Sequence, residues 1–202
     1  MASAPIRPQP PMSVELFRSF LEGRPDEERW ELIDGAAVMM APPTYVHQQI
    51  ATNLLLLLFS ALEVHAPTLA VYQRGGINLG PSIQHYDPEP DVLVVDAEVT
   101  QEFERRYADR FYLTAEIVSS SDRRRVETKR AIYKLHDACT CILVVQQDRM
   151  EVQVDLRTQV GWTEQILRKP DDLLVLLDFG LRCRIAQIYR GTPLVPRQPP
   201  AS

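Results

Sequence analysis

From Gln48 to Leu62 the chain runs for 15 residues without a formal charge, carrying Ile50, five consecutive leucines from Leu54 to Leu58, and Leu62. Such a segment must be covered on most of its surface. It is shorter than the roughly 20 apolar residues a bilayer span needs, so it predicts a helix seated in a protein core. Thr44 supplies the cap, and the helix is expected over residues 45–64. The other apolar runs are short and rich in β-branched residues, at 69–78, 91–95, 113–118, 141–146, 151–157 and 162–167. They read as strands that pack against that helix.

Three further elements complete the pattern. Ser13 caps a short amphipathic helix through Val14, Phe17, Phe20 and Leu21, ending near Gly23. Residues 30–40 form a hairpin around Asp34-Gly35, a dipeptide suited to two consecutive left-handed positions. Residues 125–137 have helical periodicity, with Val126, Ile132, Tyr133 and Leu135 on the inner arc and Glu127, Arg130 and Lys134 outside it. Lys129 falls within the inner arc. Helix, hairpin, helix, strands, helix, strands is an α/β (α+β) order, with a mixed central sheet flanked by helices.

At 202 residues, 45% hydrophobic and 24% charged, the chain has the make-up of one globular domain, expected over residues 12–194. Prolines cluster at both ends (5, 8, 10 and 11; 193, 196, 199 and 200), which predicts flexible tails at 1–11 and 195–202. Cys139, Cys141 and Cys183 lack the spacing of a disulfide framework or a zinc site and read as buried thiols. No secretory signal opens the sequence, so a soluble, cytoplasmic protein without membrane contact is expected. The net charge of −5 argues against a simple polycationic nucleic-acid binder.

The chemistry concentrates in three segments. Asp91 stands at the mouth of the apolar run Val92-Leu93-Val94-Val95, either as an end-of-strand charge facing water or as a placed ligand. Glu116 lies inside Leu113-Thr114-Ala115-Glu116-Ile117-Val118, where alternation sets it on one face with Thr114 and Val118. A glutamate there is on an exposed face, in a salt bridge, or compensated by a cation. Lys129, in the inner arc of its helix, either snorkels to water or turns toward a buried partner. Together, two carboxylates and a lysine are the minimum kit for metal-assisted phosphodiester hydrolysis. The acids suit Mg²⁺ (or Mn²⁺), and the lysine can orient a nucleophile or offset charge that develops in the transition state.

These residues bring out a resemblance. Glu31-Leu32-Ile33-Asp34-Gly35, Met40-Ala41-Pro42-Pro43 with His47, Pro90-Asp91-Val92, Glu116-Ile117-Val118-Ser119, and Lys129-Arg130 with Tyr133 follow one another as in the large bacterial family described as putative restriction endonucleases. That family belongs to the PD-(D/E)XK nuclease superfamily, and the resemblance runs from about Trp30 to Leu181. It implies a restriction-endonuclease-like fold and a Mg²⁺-dependent endonuclease acting on DNA. A homodimer is compatible with it. It also implies Asp91 and Glu116 as metal ligands, with the Ile117 backbone carbonyl as a third. Lys129 stands in for the lysine usually found two residues after the acid, where this chain has Val118. Glu31 matches the family's first acidic position, as a support for the metal or as a sheet-face glutamate. His47 matches a family histidine, as a supporting residue or a structural cap, and Asp122 and Tyr133 are further supporting candidates.

The chain departs from the family at Asp137-Ala138-Cys139-Thr140-Cys141-Ile142, at Phe111-Tyr112-Leu113 before the acid, and at Arg125, where an aspartate is usual. The alternative reading is therefore a nuclease-fold module that has lost turnover and binds nucleic acid or a protein partner. Between positions 105 and 130 stand Arg105, Arg106, Arg110, Arg123, Arg124, Arg125, Lys129 and Arg130. Arg123, Arg124, Arg125 and Arg130 are the candidates for nucleic-acid contact, although interspersed acids allow a solvated mixed-charge surface as well. No glycine-rich phosphate loop and no Gly-x-Ser-x-Gly elbow is present.

Overall fold

The computed structural model describes residues 10–25, 27–119 and 123–197. The expected tails fall largely on 1–9 and 198–202, outside the described residues. The chain divides into two compact units, one of residues 1–41 with 79–88 and the other of residues 42–78 with 89–202.

The first unit holds α1 (Val14–Glu22) and the hairpin of β1 (Trp30–Ile33) and β2 (Ala36–Met39). Ser13 Oγ accepts the Leu16 N–H at 3.3 Å, and Gly23 closes the helix, as its sequence signals require. Asp34 and Gly35 take φ of 52° and 71°, the two left-handed positions of the tight turn. Gly35 is confined there. A Cβ on it would stand 2.3 Å from that of Pro11.

The second unit is built on a six-stranded mixed sheet in the order β10-β9-β8-β7-β5-β3. Its strands are β3 (Leu69–Tyr72), β5 (Val92–Asp96), β7 (Phe111–Val118), β8 (Cys141–Gln146), β9 (Val152–Thr158) and β10 (Gly161–Leu167). Within this sheet β7 and β8 run parallel, and α3 (Arg123–Tyr133) is the crossover between them. The other neighbours in the sheet are antiparallel. β4 (Gly76–Ile77) and β6 (Tyr107–Ala108) form a small separate pair.

Helix α2 (Tyr45–His65) covers one sheet face. Ile50, Leu54, Leu58 and Leu62 repeat every four residues and share the core with Leu113, Ala115, Ile117, Leu143, Val145 and Val154. Burying each such side chain contributes about 1.5–3 kcal/mol. The three cysteines lie buried as free thiols, and burial pushes Cys139 up to about 12 and Cys183 to about 11. The opposite face carries α3, seated on the small cluster Val118, Val126 and Val144. Glu116 belongs to that second face.

The structure corrects the sequence reading in several places. The expected strand over 69–78 is broken after Tyr72, where Arg74 takes φ 55° and turns the chain. The third helix starts at Arg123 and ends at Tyr133, so Leu135, placed on the inner arc by periodicity, is 68% exposed. Arg130, placed on the outside, is only 6% exposed, because Asp155 of β9 draws its guanidinium inward. The hairpin of β11 (Leu173–Leu176) and β12 (Leu181–Arg184), with the four-residue α4 (Ile185–Ile188), was not expected. It supplies Leu174, Leu181, Ile185 and Ile188 to the core under α2.

Candidate active site

Strand β7 places Glu116 by alternation. Leu113, Ala115 and Ile117 go to the α2 core, and Thr114, Glu116 and Val118 go to the α3 face. The β5–β7 ladder pairs Val92 with Ala115, so one further step of the antiparallel register sets Asp91 opposite Glu116. Asp91 is tied down on one oxygen. Its Oδ2 accepts the Ile117 backbone N–H at 2.8 Å and lies 3.1 Å from His47 Nε2. Asp91 Oδ1 has no hydrogen-bond donor among the described residues. Ile117 thus enters the site through its N–H.

His47 stands in the first turn of α2 because Thr44 caps that helix and accepts the His47 N–H at 3.1 Å. Thr44 also donates its hydroxyl to Gln147 Oε1, next to the end of β8, at 3.1 Å. His47 Nδ1 is buried and has no hydrogen-bond partner among the described residues.

Helix α3 brings two residues onto Glu116. Lys129 Nζ donates to Oε2 at 3.1 Å, and the Tyr133 hydroxyl donates to Oε1 at 2.6 Å. Lys129 is 3% exposed and Glu116 4%, so the lysine does not snorkel. It is a buried cation with a carboxylate partner, the condition under which a charge is tolerated inside.

Among the other expected site residues, Glu31 lies in the first unit on β1 and is 2% exposed. Nearby in that unit, burial holds the Asp87 carboxyl above its ordinary range, with Glu31 adding to the effect and Arg18, which pairs with Asp87 at 3.0 Å, opposing it. Arg124 is exposed and Arg125 half-buried at the start of α3. Asp122 lies outside the described residues. Arg130 is not available to a nucleic acid, since its guanidinium is spent on Asp155 at 2.8 Å.

Two residues of β9 escaped the sequence reading. Asp155 is fully buried under α3. Arg157 donates to the carbonyls of Lys134, His136 and Asp137 at 2.8 to 2.9 Å, satisfying the orphan acceptors beyond the end of α3. The signal was the alternation Gln153, Asp155, Arg157 on a strand whose other face is Val152, Val154 and Leu156. That pattern is also the one an exposed strand face shows.

Asp91 and Glu116 offer hard oxygen donors on neighbouring strands, and Lys129 cancels one of their two charges. That set fits Mg²⁺ or Mn²⁺, which bind through one or two carboxylates and keep several waters. Among the described residues no group of three or more His, Cys, Asp or Glu side chains gathers to hold a metal ion.

A six-stranded mixed sheet flanked by helices, with its parallel pair bridged by α3, is a restriction-endonuclease-like fold. The model of one family, described as "Putative restriction endonuclease" (Uma2), matches residues 14–186, and the chain belongs to that family. Its fold is similar to the crystal structure of a putative nuclease of the DUF820 group from Anabaena variabilis, with a TM-score of 0.66 at 18% identity over 85% of this chain and 96% of that one. No functionally curated protein matches the chain. Among the described residues, no helix is long and apolar enough to cross a membrane.

Proposed function

We propose that the chain is a Mg²⁺-dependent endonuclease that hydrolyses DNA phosphodiester bonds in the cytoplasm, with Mn²⁺ able to replace Mg²⁺. The observation that carries this reading is the convergence of Asp91, Glu116 and the buried Lys129 in one place, Lys129 lying 3.1 Å from Glu116. Membership in a restriction-endonuclease family supports it. Asp91 and Glu116 would hold the cation, with the Ile117 carbonyl as a further oxygen. Bound there, the cation would lower the pKa of a water and polarise the phosphoryl group.

The chain's own groups do the rest. His47 and the Ile117 N–H hold Asp91 Oδ2, which leaves Oδ1 to face a ligand. Tyr133 fixes the carboxylate plane of Glu116, and Lys129 adds fixed positive charge where negative charge grows on the phosphodiester. Exposed Arg124 at the start of α3 adds salt-sensitive attraction for a polyanion, localised at one face despite the net charge of −5. The test is cleavage of plasmid and linear DNA with Mg²⁺ or Mn²⁺ by wild type, Asp91→Ala and Lys129→Ala. Wild type is expected to cut, and each variant to lose at least about a hundredfold in rate. Activity that survives both substitutions refutes the assignment.

One observation favours a second reading, a nuclease-fold module that binds nucleic acid or a protein partner without turnover. Both oxygens of Glu116 already accept protein hydrogen bonds, from Lys129 and Tyr133. Calorimetric titration with Mn²⁺ separates the two. Binding that is lost in Glu116→Ala supports the enzyme, and no binding supports the module.

A further inference from the structure

Helix α3 is held by two carboxylates on two strands. Glu116 of β7 takes Lys129 at 3.1 Å and Tyr133 at 2.6 Å. Asp155 of β9 takes Arg130 in a two-pronged pair, Nε to Oδ2 and Nη2 to Oδ1, both at 2.8 Å, and Lys134 at 3.2 Å. Residues 129 and 133 are one turn apart, and so are 130 and 134. Each carboxylate therefore grips the same two turns, one residue out of step.

Between the two strands lies β8, whose Val144 pairs with Glu116 on one side and with Gln153 on the other. The two acids are thus two strands apart, a lateral spacing of about 10 Å, and α3 rides over the strand between them. Val126 and Val144 make apolar contact there with Val118.

Ile132 and Tyr133 of α3 are buried as well, Tyr133 edge-on to Phe111, on an 11-residue helix whose sequence begins with three arginines. Apolar contact is non-directional and resists lifting more than rotation or sliding. A two-pronged Arg–carboxylate pair is directional and fixes a plane. Arg130 is also held by Glu164 at 2.9 Å and by Glu127 at 2.6 Å, but both of these acids are about half exposed, whereas Asp155 is fully buried. A buried ion pair is weak evidence for stability and is better understood as a device that selects one arrangement over its neighbours.

We propose that Asp155 is a positioning residue. Through Arg130 it sets the rotation and axial position of α3, and thereby sets Lys129 and Tyr133 against Glu116. Residues 129, 130 and 133 belong to one rigid helix, so a rotation or slide that Arg130 no longer resists moves Lys129 and Tyr133 off Glu116 together. The consequence for turnover rests on the endonuclease reading; the consequence for the position of Lys129 does not.

The experiment compares wild type, Asp155→Asn and Arg130→Lys, each confirmed as folded by circular dichroism well below its thermal transition. Lysine side chains are labelled with an amine-reactive reagent and quantified by mass spectrometry, with exposed Lys169 as the internal reference. Lys129, 3% exposed in the native arrangement, is expected to label slowly in wild type and at least about fivefold faster in Asp155→Asn. Arg130→Lys, which keeps the charge but loses the fork, is expected in between. In cleavage assays kcat is expected to fall about tenfold or more while KM for DNA stays within twofold. A residue that only added stability would lower the melting temperature and leave Lys129 labelling unchanged. Unchanged labelling in folded Asp155→Asn overturns the proposal, and if that variant does not fold, unchanged labelling in Arg130→Lys does so. Wild type that labels as expected but never cuts DNA overturns the endonuclease reading and leaves the positioning role supported.

Discussion

The Tyr133 hydroxyl donates to Glu116 at 2.6 Å from the heart of the second unit, where the phenol ring is fully buried against Phe111. Tyr133 stands four residues after Lys129, so one turn of α3 delivers both donors to the two oxygens of a single carboxylate. A carboxylate gripped at both oxygens has one orientation available.

Tyr133→Phe removes that hydroxyl and keeps the ring. A buried hydrogen bond to a charged group is worth about 1.5–3 kcal/mol, so Glu116 loses that much of its orienting energy. The expected outcome is a fall in kcat of about ten- to a hundredfold with folded content unchanged by circular dichroism. Steady-state cleavage of a labelled duplex checks it, and wild-type kcat in the variant removes Tyr133 from the site.

His47 makes a different contribution, because it touches Asp91 at 3.1 Å and not Glu116. Groups that orient a metal ligand typically contribute 10–100-fold to metal affinity. His47→Ala is expected to weaken Mn²⁺ binding by about tenfold, while His47→Gln, whose amide can still donate, retains most of it. Calorimetry on the three proteins decides the point, and equal affinities would show that the His47 ring takes no part in presenting Asp91 to a metal.

Much of this centre was legible before any coordinates, and the reason is physical. Glu116 inside an apolar run and Lys129 on the buried arc of a helix are conflicts between residue type and expected environment. Such conflicts persist only where a partner resolves them. Asp155 was not legible. It sits in an alternating strand, where a polar residue on every second position is also what solvent exposure produces. Arg130 was misplaced for the same reason: periodicity assigns a side chain to an arc, but a buried acid on a distant strand can draw it inward. The hairpin of β11 and β12 escaped because each strand has only four residues, too few for alternation to register.

Gly180 shows how tightly that C-terminal hairpin is tied to the core. It takes φ 64° after the short 3₁₀ turn Leu177–Phe179, and a Cβ there would lie 2.3 Å from His65 Cγ at the end of α2. Left-handed backbone costs an alanine about 1 kcal/mol, and displacing the ring adds to it. Gly180→Ala is expected to lose about 2 kcal/mol or more, a fall in Tm of at least about 4 °C for a chain of this size. A thermal melt unchanged within 1 °C would contradict the packing at this turn.

The stability of the second unit should also fall in mild acid, through His136. Its ring stacks on Phe111 with centroids 4.2 Å apart, and Nε2 donates to the Asp109 carbonyl at 3.2 Å. Its Nδ1 is buried with no hydrogen-bond partner among the described residues, so protonation would place an N–H where nothing accepts it. Burial accordingly holds the imidazole below its ordinary value of 6.5; Arg157 adds to that depression, while the Asp109 carbonyl and Asp137 oppose it. The sign follows from proton counting. As pH drops through 6.5 the unfolded chain takes up a proton that the folded chain still declines, so the unfolded state gains. The contribution of neutral His136 is therefore fully present above that value and is lost as pH falls from 6.5 toward the lowered folded value. His136→Phe keeps an aromatic ring on Phe111 and cannot titrate. Melting curves of both proteins from pH 8 to pH 5 are expected to diverge below about pH 6.5, wild type falling more steeply. Parallel curves across that window would mean that His136 titrates alike in the folded and unfolded chains.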